Sequence, residues 1–140
     1  MTDEANGAAG GPTPAALLAS MPFATRLGMT LETAGAEESV GTLAWSEDLC
    51  TVGGVLHGGA LMSLADAVGA VCAFLNLPTG AGTTTVESKT NFLRGVRSGV
   101  VTATSRPLHV GGTLIVVQTR LTDSEDRLVG HTTQSQLVVK

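Results

Sequence analysis

The stretch from Val55 to Leu75 (VLHGGALMSLADAVGAVCAFL) constrains this chain more than any other. It opens on a glycine turn, and its remainder predicts a helix of about four to five turns. From Ala60 to Leu75 almost every side chain is Ala, Leu, Val, Met, Cys or Phe, so no polar stripe is left to face water. A helix apolar all round is either a core helix or a membrane span. Its only polar side chains are Ser63 and Asp66. A mid-helix carboxylate is costly if simply buried, so Asp66 must be paired, protonated or facing a wet cleft. The same residue argues against a membrane span. At the bilayer centre it would cost roughly 2.5–3.5 kcal/mol, and no Lys/Arg cluster flanks the segment.

The rest of the chain must cover that helix. Residues 1–12 are small, polar and glycine-rich and read as a disordered tail, leaving 13–140 as one expected domain. Thr13-Pro14 predicts a short helix running to Met21 and ended by Pro22. Leu27, Met29 and Leu31 alternate with polar or small residues as a half-buried strand does, and Val40 to Trp45 reads as its hairpin partner. Ser46 to Gly54 is loop, and Asn76 to Gly80 stops the helix. Four extended runs follow: Thr83–Leu93, Val100–Val110, Thr113–Thr122 and Arg127–Val139. Short turns separate them, the first through Arg94 to Gly99, and Pro107 marks an edge or a bulge. The order ββ, helix, ββββ predicts an α+β fold. A curved, mostly antiparallel sheet wraps one long central helix, and a second chain covers what the sheet leaves open.

Composition bounds the partners. The chain is 43% hydrophobic and only 14% charged, which fits surface buried between subunits. A net charge of −4 argues against nucleic acid and against acidic membrane surfaces, so any anionic ligand needs local basic groups. Cys50 and Cys72 lack metal-ligand spacing and read as free thiols of a reducing compartment. No secretory pattern opens the sequence, so a cytoplasmic location is expected.

Gly58 and Gly59 let a ligand approach the backbone at the helix start, where free N–H groups and the helix dipole stabilise negative charge. A phosphate or the oxygen of a carbonyl under attack would suit that place. The phosphate loop itself is excluded, because Gly59-Ala60 stands where Lys-Ser/Thr is required. Ser63 lies in mid-helix with no turn to expose its hydroxyl, and His57, His109 and His131 form no ligand cluster. Asp66 follows Gly58 by eight residues, about 12 Å along a helix. Both can act on one carbonyl only if they come from different chains, as two antiparallel helices about a two-fold axis would allow. Taken alone, Asp66 is either a site acid or a structural acid capped by neighbours such as Ser63. His57 is a positioning group or a turn residue, and Gly58-Gly59 a binding turn or a packing notch.

His57-Gly58-Gly59, followed on the same helix by Leu64-Ala65-Asp66, resembles the signature of hotdog-fold acyl-CoA thioesterases of the phenylacetate-degradation (PaaI-like) type. The likeness extends over about Leu27 to Val139. It implies a thioester hydrolase that releases a free acid and coenzyme A, needs no cofactor, and works as a homodimer or a homotetramer of two dimers. By this resemblance Asp66 is the general base or nucleophile, and the Gly58 N–H polarises the carbonyl. His57 orients, and Thr85 helps to hold the water. Thr51 stands where the family usually carries Asn or Gln; it has shorter reach and a single polar group. Gly59, Arg94, Gly112 and Thr113 match substrate-binding positions, with Arg97 and Arg106 as lesser helpers. Two other classes fit the same letters. One is a non-catalytic acyl-CoA-binding module, which would not need Asp66. The other is a hotdog hydratase or dehydratase, which would need an acid/histidine pair on the acyl chain.

Overall fold

The computed structural model describes residues 11–140. Two short helices lead in, α1 (Pro14–Ala19) and α2 (Pro22–Leu27), followed by strands β1 (Thr30–Thr33) and β2 (Ser39–Ala44). Two single-turn 3-10 segments, Glu47–Leu49 and Val52–Gly54, precede the long helix α3 (Gly58–Phe74). Strands β3 (Gly82–Phe92), β4 (Val100–Val110), β5 (Leu114–Thr122) and β6 (Leu128–Val139) complete the order. Of the tail expected over 1–12, all but the last two residues lies outside the described residues.

All six strands form one antiparallel sheet in the order β1-β2-β4-β5-β6-β3. Its concave side carries α3, which packs against β2, β3, β4, β5 and β6. This is the α+β arrangement of curved sheet around one helix expected from the apolar helix, and it is the hotdog fold that the resemblance implies. The strand boundaries follow the expected runs to within a residue or so from β2 onward.

Two details differ from the sequence reading. Pro22 does more than end a helix. It pushes Met21 out of helical geometry and then starts α2 at the position where its missing N–H costs nothing. Leu27 therefore closes α2, with Gly28 as a left-handed cap at φ 86°, and the strand begins only at Thr30. The alternation of Leu27, Met29 and Leu31 joined a helix end to a strand start. The second difference is the connection from Arg94 to Gly99. It does not join neighbours, because β3 pairs with β6 while β4 lies between β2 and β5. A short connection suffices because the sheet curls. It crosses the open end beside the start of α3, where Leu93 N–H donates to Val129 O at 2.9 Å and Leu56 N–H to Val96 O at 2.9 Å. Val96 plugs that end of the core. Pro107 sits at a register shift between β4 and β5, as a bulge requires.

Beneath α3 the core divides in two. Leu43, Leu61, Leu64, Val68, Val101, Leu121 and Val129 belong to the larger apolar cluster. Cys72, Ala73, Ile115, Val117 and Val138 form the smaller one under the helix end. Along the sheet, Ser39, Ser105, Thr119, Thr132 and Thr90 stand opposite one another in register on β2, β4, β5, β6 and β3. They pair where they are buried, Ser105 with Thr119 at 2.6 Å and Thr90 with Thr132 at 2.7 Å, so burial leaves these hydroxyls satisfied.

The sheet does not cover α3 on every side. Gly59, Asp66 and Phe74 are exposed, with Ser63 and Ala70 half-buried between them, a single stripe at helical spacing. Among the described residues no helix is long and apolar enough to cross a membrane.

Candidate active site

The start of α3 is built by its own residues. His57 is the N-cap in extended geometry, and its Nδ1 accepts the Gly59 N–H at 2.8 Å. That bond puts the proton of the neutral ring on Nε2. The Ala60 and Leu61 N–H groups donate to His57 O, at 2.9 and 3.3 Å. Of the first-turn donors, only the Gly58 N–H has no acceptor among the described residues. A side chain on Gly58 would meet the half-exposed ring of Phe92 at 3.1 Å, so Phe92 walls this point of approach.

Asp66 lies two turns further on. Its Oδ1 accepts the Thr85 hydroxyl at 2.9 Å and the Gln134 amide at 3.0 Å. Thr85 Oγ1 in turn accepts from Gln136 Nε2 at 2.7 Å, so its single proton is directed to Asp66. Thr85 can therefore offer a water only an acceptor lone pair. Ser63, weighed above as a cap for Asp66, donates instead to Gly59 O at 2.8 Å. Asp66 opens into a hollow of ≈ 270 Å³ lined by Met62, Ser63, Thr85 and Ser88. On the other side of Ser63 a hollow of ≈ 350 Å³ is lined by Phe23, Leu27, Asp48, Leu49, Cys50, His57, Gly59 and Ala60.

Within one chain the structure thus brings Asp66 to Thr85, and His57 to Gly58 and Gly59, but it does not join the two groups. Thr51 is exposed and lines neither hollow; its N–H donates to Val55 O at 2.8 Å. Arg94 is exposed beyond Phe92, at the Gly58 end, with its side chain unpaired among the described residues. Gly112 and Thr113 lie at the opposite end, where Thr113 O accepts Val138 N–H at 2.9 Å beside the second apolar cluster. The lesser helpers are occupied: Arg97 donates to Gly53 O at 3.0 Å, and Arg106 is ion-paired with Glu38. No group of three or more His, Cys, Asp or Glu side chains among the described residues could hold a metal ion. Burial pushes the Cys72 thiol up to about 11, which makes it inert, while Cys50 is half-buried.

The sequence reading missed Gln134 and Gln136, both fully buried on β6. The only signal for them is position: they fall at alternate residues with Thr132 and Val138 on the face toward α3. The outward residues of the same strand, His131, Thr133 and Ser135, are polar too, so no contrast marked the inner face.

Comparison with known proteins agrees with this architecture. Residues 53–130, more than half of the chain, match the family model described as Thioesterase superfamily. Rv1847 of Mycobacterium tuberculosis, named as a candidate esterase, is 30% identical over 122 residues, 85% of this chain and 87% of that protein. The 1,4-dihydroxy-2-naphthoyl-CoA hydrolase of Escherichia coli is 35% identical over 75 residues, 54% of this chain and 55% of that one. The crystal structure of a mutant thioesterase, PA1618 of Pseudomonas aeruginosa, superposes with a TM-score of 0.87 at 29% identity, covering 94% of this chain and 96% of the other. With its helix-capping HGG turn, its acid on the open stripe of the central helix and its six-stranded wrap, this chain belongs to the thioesterase superfamily and is a hotdog-fold thioester hydrolase.

Proposed function

We propose that the protein hydrolyses an acyl-CoA to a free carboxylic acid and coenzyme A, in a site completed by a second copy of the chain. The observation that carries this reading is the pairing of two unused groups on one helix. One is the unaccepted Gly58 N–H at the positive end of α3. The other is a carboxylate held by Oδ1 alone, whose Oδ2 has no protein partner among the described residues. In this reading the thioester oxygen sits on the Gly58 N–H, which stabilises the charge that develops there. Asp66 of the second copy takes a proton from water, which attacks the carbonyl carbon, or attacks that carbon itself. The tetrahedral intermediate collapses and expels the thiolate of coenzyme A. In the first route Asp66 returns the proton taken from water to that thiolate; in the second the acyl group stays on Asp66 as an anhydride, which a water hydrolyses to the free acid and the regenerated carboxylate, its spare proton going to the thiolate. His57 fixes the turn that presents Gly58, and Thr85 fixes Asp66. The Thr51 side chain has no hydrogen-bond partner among the described residues and keeps only a marginal role.

The need for a second copy follows from distance, since eight helical residues separate the groups by about 12 Å. Two exposed features support it. The stripe from Gly59 to Phe74 on α3 is uncovered, and β3 is an 11-residue edge strand bearing exposed Val86 and Phe92. Antiparallel helices about a two-fold axis would also bring Gly112 and Thr113 of one copy toward Arg94 of the other, which gives the coenzyme A phosphates a basic side chain and a turn. Two such dimers would make the homotetramer. The name of the Escherichia coli relative supports a coenzyme A ester as substrate. The free thiols of Cys50 and Cys72 fit a reducing, cytoplasmic setting.

Thiol release from short, medium, long and aryl acyl-CoAs tests this reading. Asp66→Ala should lower the rate by about 10²–10⁴-fold while acyl-CoA binding persists. Equal measurable rates in both proteins would remove Asp66 from the chemistry; no release from either, with binding retained, would put the non-catalytic binding module in its place.

A further inference from the structure

We propose that Gln134 is the positioning residue for Asp66, and that the absence of a side chain at Gly69 exists to admit it. The inference rests on the hydrolase reading above for its kinetic part and on geometry for the rest. Gln134 is fully buried on β6, yet only one end of its amide is satisfied. Nε2 donates to Asp66 Oδ1 at 3.0 Å, while Oε1 has no hydrogen-bond partner among the described residues. A β-carbon built on Gly69 would stand 2.0 Å from that Oε1, closer than any real contact allows. The helix therefore carries a notch one turn beyond Asp66, and the orphaned end of Gln134 fills it.

A buried amide with one end unpaired is destabilising compared with an apolar side chain of the same shape. Something other than folding has to account for it, and its one bond leads to the candidate acid. The second arm is of the same kind. Gln136, also fully buried, donates to Thr85, which donates to Asp66 Oδ1, while Thr83 Oγ1 lies 3.1 Å from the Gln136 oxygen and fixes the sense of the amide. Both arms end on the same carboxylate oxygen. With two donors on Oδ1, the carboxylate plane is locked and Oδ2 is the oxygen left for substrate or water. Among the described residues no other titratable group takes part: the remaining lining of the hollow is Met62, Ser63 and Ser88. Glu87 and Lys89 on β3 are exposed, in register with Ser135 and Thr133.

Two variants test the assignment. Gln134→Met keeps the volume and removes the amide. It should leave the urea midpoint unchanged or raised, lower kcat by about 10–100-fold and change KM less than about threefold, because Asp66 loses its orientation while the substrate's own binding contacts stay. In an Asp66→Asn background it should cost nothing further. Gly69→Ala, buried and outside the lining of the hollow at Asp66, should lose kcat alike by evicting the amide. If that variant folds poorly, Gly69→Ala with Gln134→Ala should restore the midpoint without restoring kcat. A readout independent of turnover is amide exchange by NMR: the Gln134 side-chain protons should be protected in the wild type and lose protection in Asp66→Ala. Wild-type kcat in Gln134→Met, or a midpoint that falls in proportion to activity, would overturn the assignment. So would unprotected amide protons in the wild type. A wild type that hydrolyses no thioester but keeps the protected amide would refute the hydrolase reading and leave the clamp standing.

Discussion

Asp123 shows at the residue scale how local donors hold a carboxylate on this surface. It accepts the Arg127 and Glu125 N–H groups, each at 2.9 Å, and its other oxygen meets the Arg127 guanidinium. The Arg127 backbone bond first, then the Glu125 backbone bond and the Arg127 side chain, hold its value below the ordinary 3.8. A lowered folded value means stability present above 3.8 and lost as the pH falls through the depressed value. Asp123→Asn should therefore lower the urea midpoint at neutral pH, and the gap to wild type should close in strong acid; an equal gap at both pH values would contradict this. The two cysteines differ in the same physical terms. A colorimetric thiol reagent should titrate Cys50 in the native protein and Cys72 only on unfolding, since burial holds the Cys72 thiol at about 11. Asp66 was legible in the sequence because it interrupts an apolar helix, and Gly58 because two glycines open that helix. Gln134 was not legible, because its meaning lies in the notch at Gly69, sixty-five residues away, which only the packing of α3 on β6 reveals.

At the scale of elements, α3 is tied down at both ends by side chains rather than by sheet contacts alone. His57 caps its start, and beyond its end Asn76 Nδ2 donates to Cys72 O at 2.9 Å and to Ala36 O at 2.8 Å, linking the helix to the β1–β2 hairpin. Asn76→Ala should cost about 1–2 kcal/mol, seen as a lower urea midpoint at unchanged slope; an unchanged midpoint would show the link to be idle. Elements with a strong period were readable in advance. The apolar helix and the β-branched runs of β3 to β6 agree with the structure to a residue or so. The failures came where two short elements abut, at α2 and β1, and where a connection's partner depends on sheet curvature, at Arg94 to Gly99.

On the scale of the whole molecule, the claim that matters most is that each site takes Asp66 from one copy and Gly58 from another. Gly58→Pro deletes the proposed carbonyl donor with little harm to the helix, because proline is favoured at the first helical position and His57 already has the extended geometry a preceding residue needs (φ −62°, ψ 138°). The half-exposed Phe92 ring, 3.1 Å from a β-carbon at that position, must turn aside to admit it. This variant alone should lose about 10²–10³-fold in kcat. The most direct measurement mixes it with Asp66→Ala: the two inactive proteins are dissociated, combined in equal amounts and reassembled, and acyl-CoA hydrolysis is followed. A shared site returns one intact centre in every hybrid dimer, about one quarter of wild-type activity for random pairing. Activity no higher than that of the parents, with hybrids shown to form, would mean that Asp66 and Gly58 do not meet across two chains.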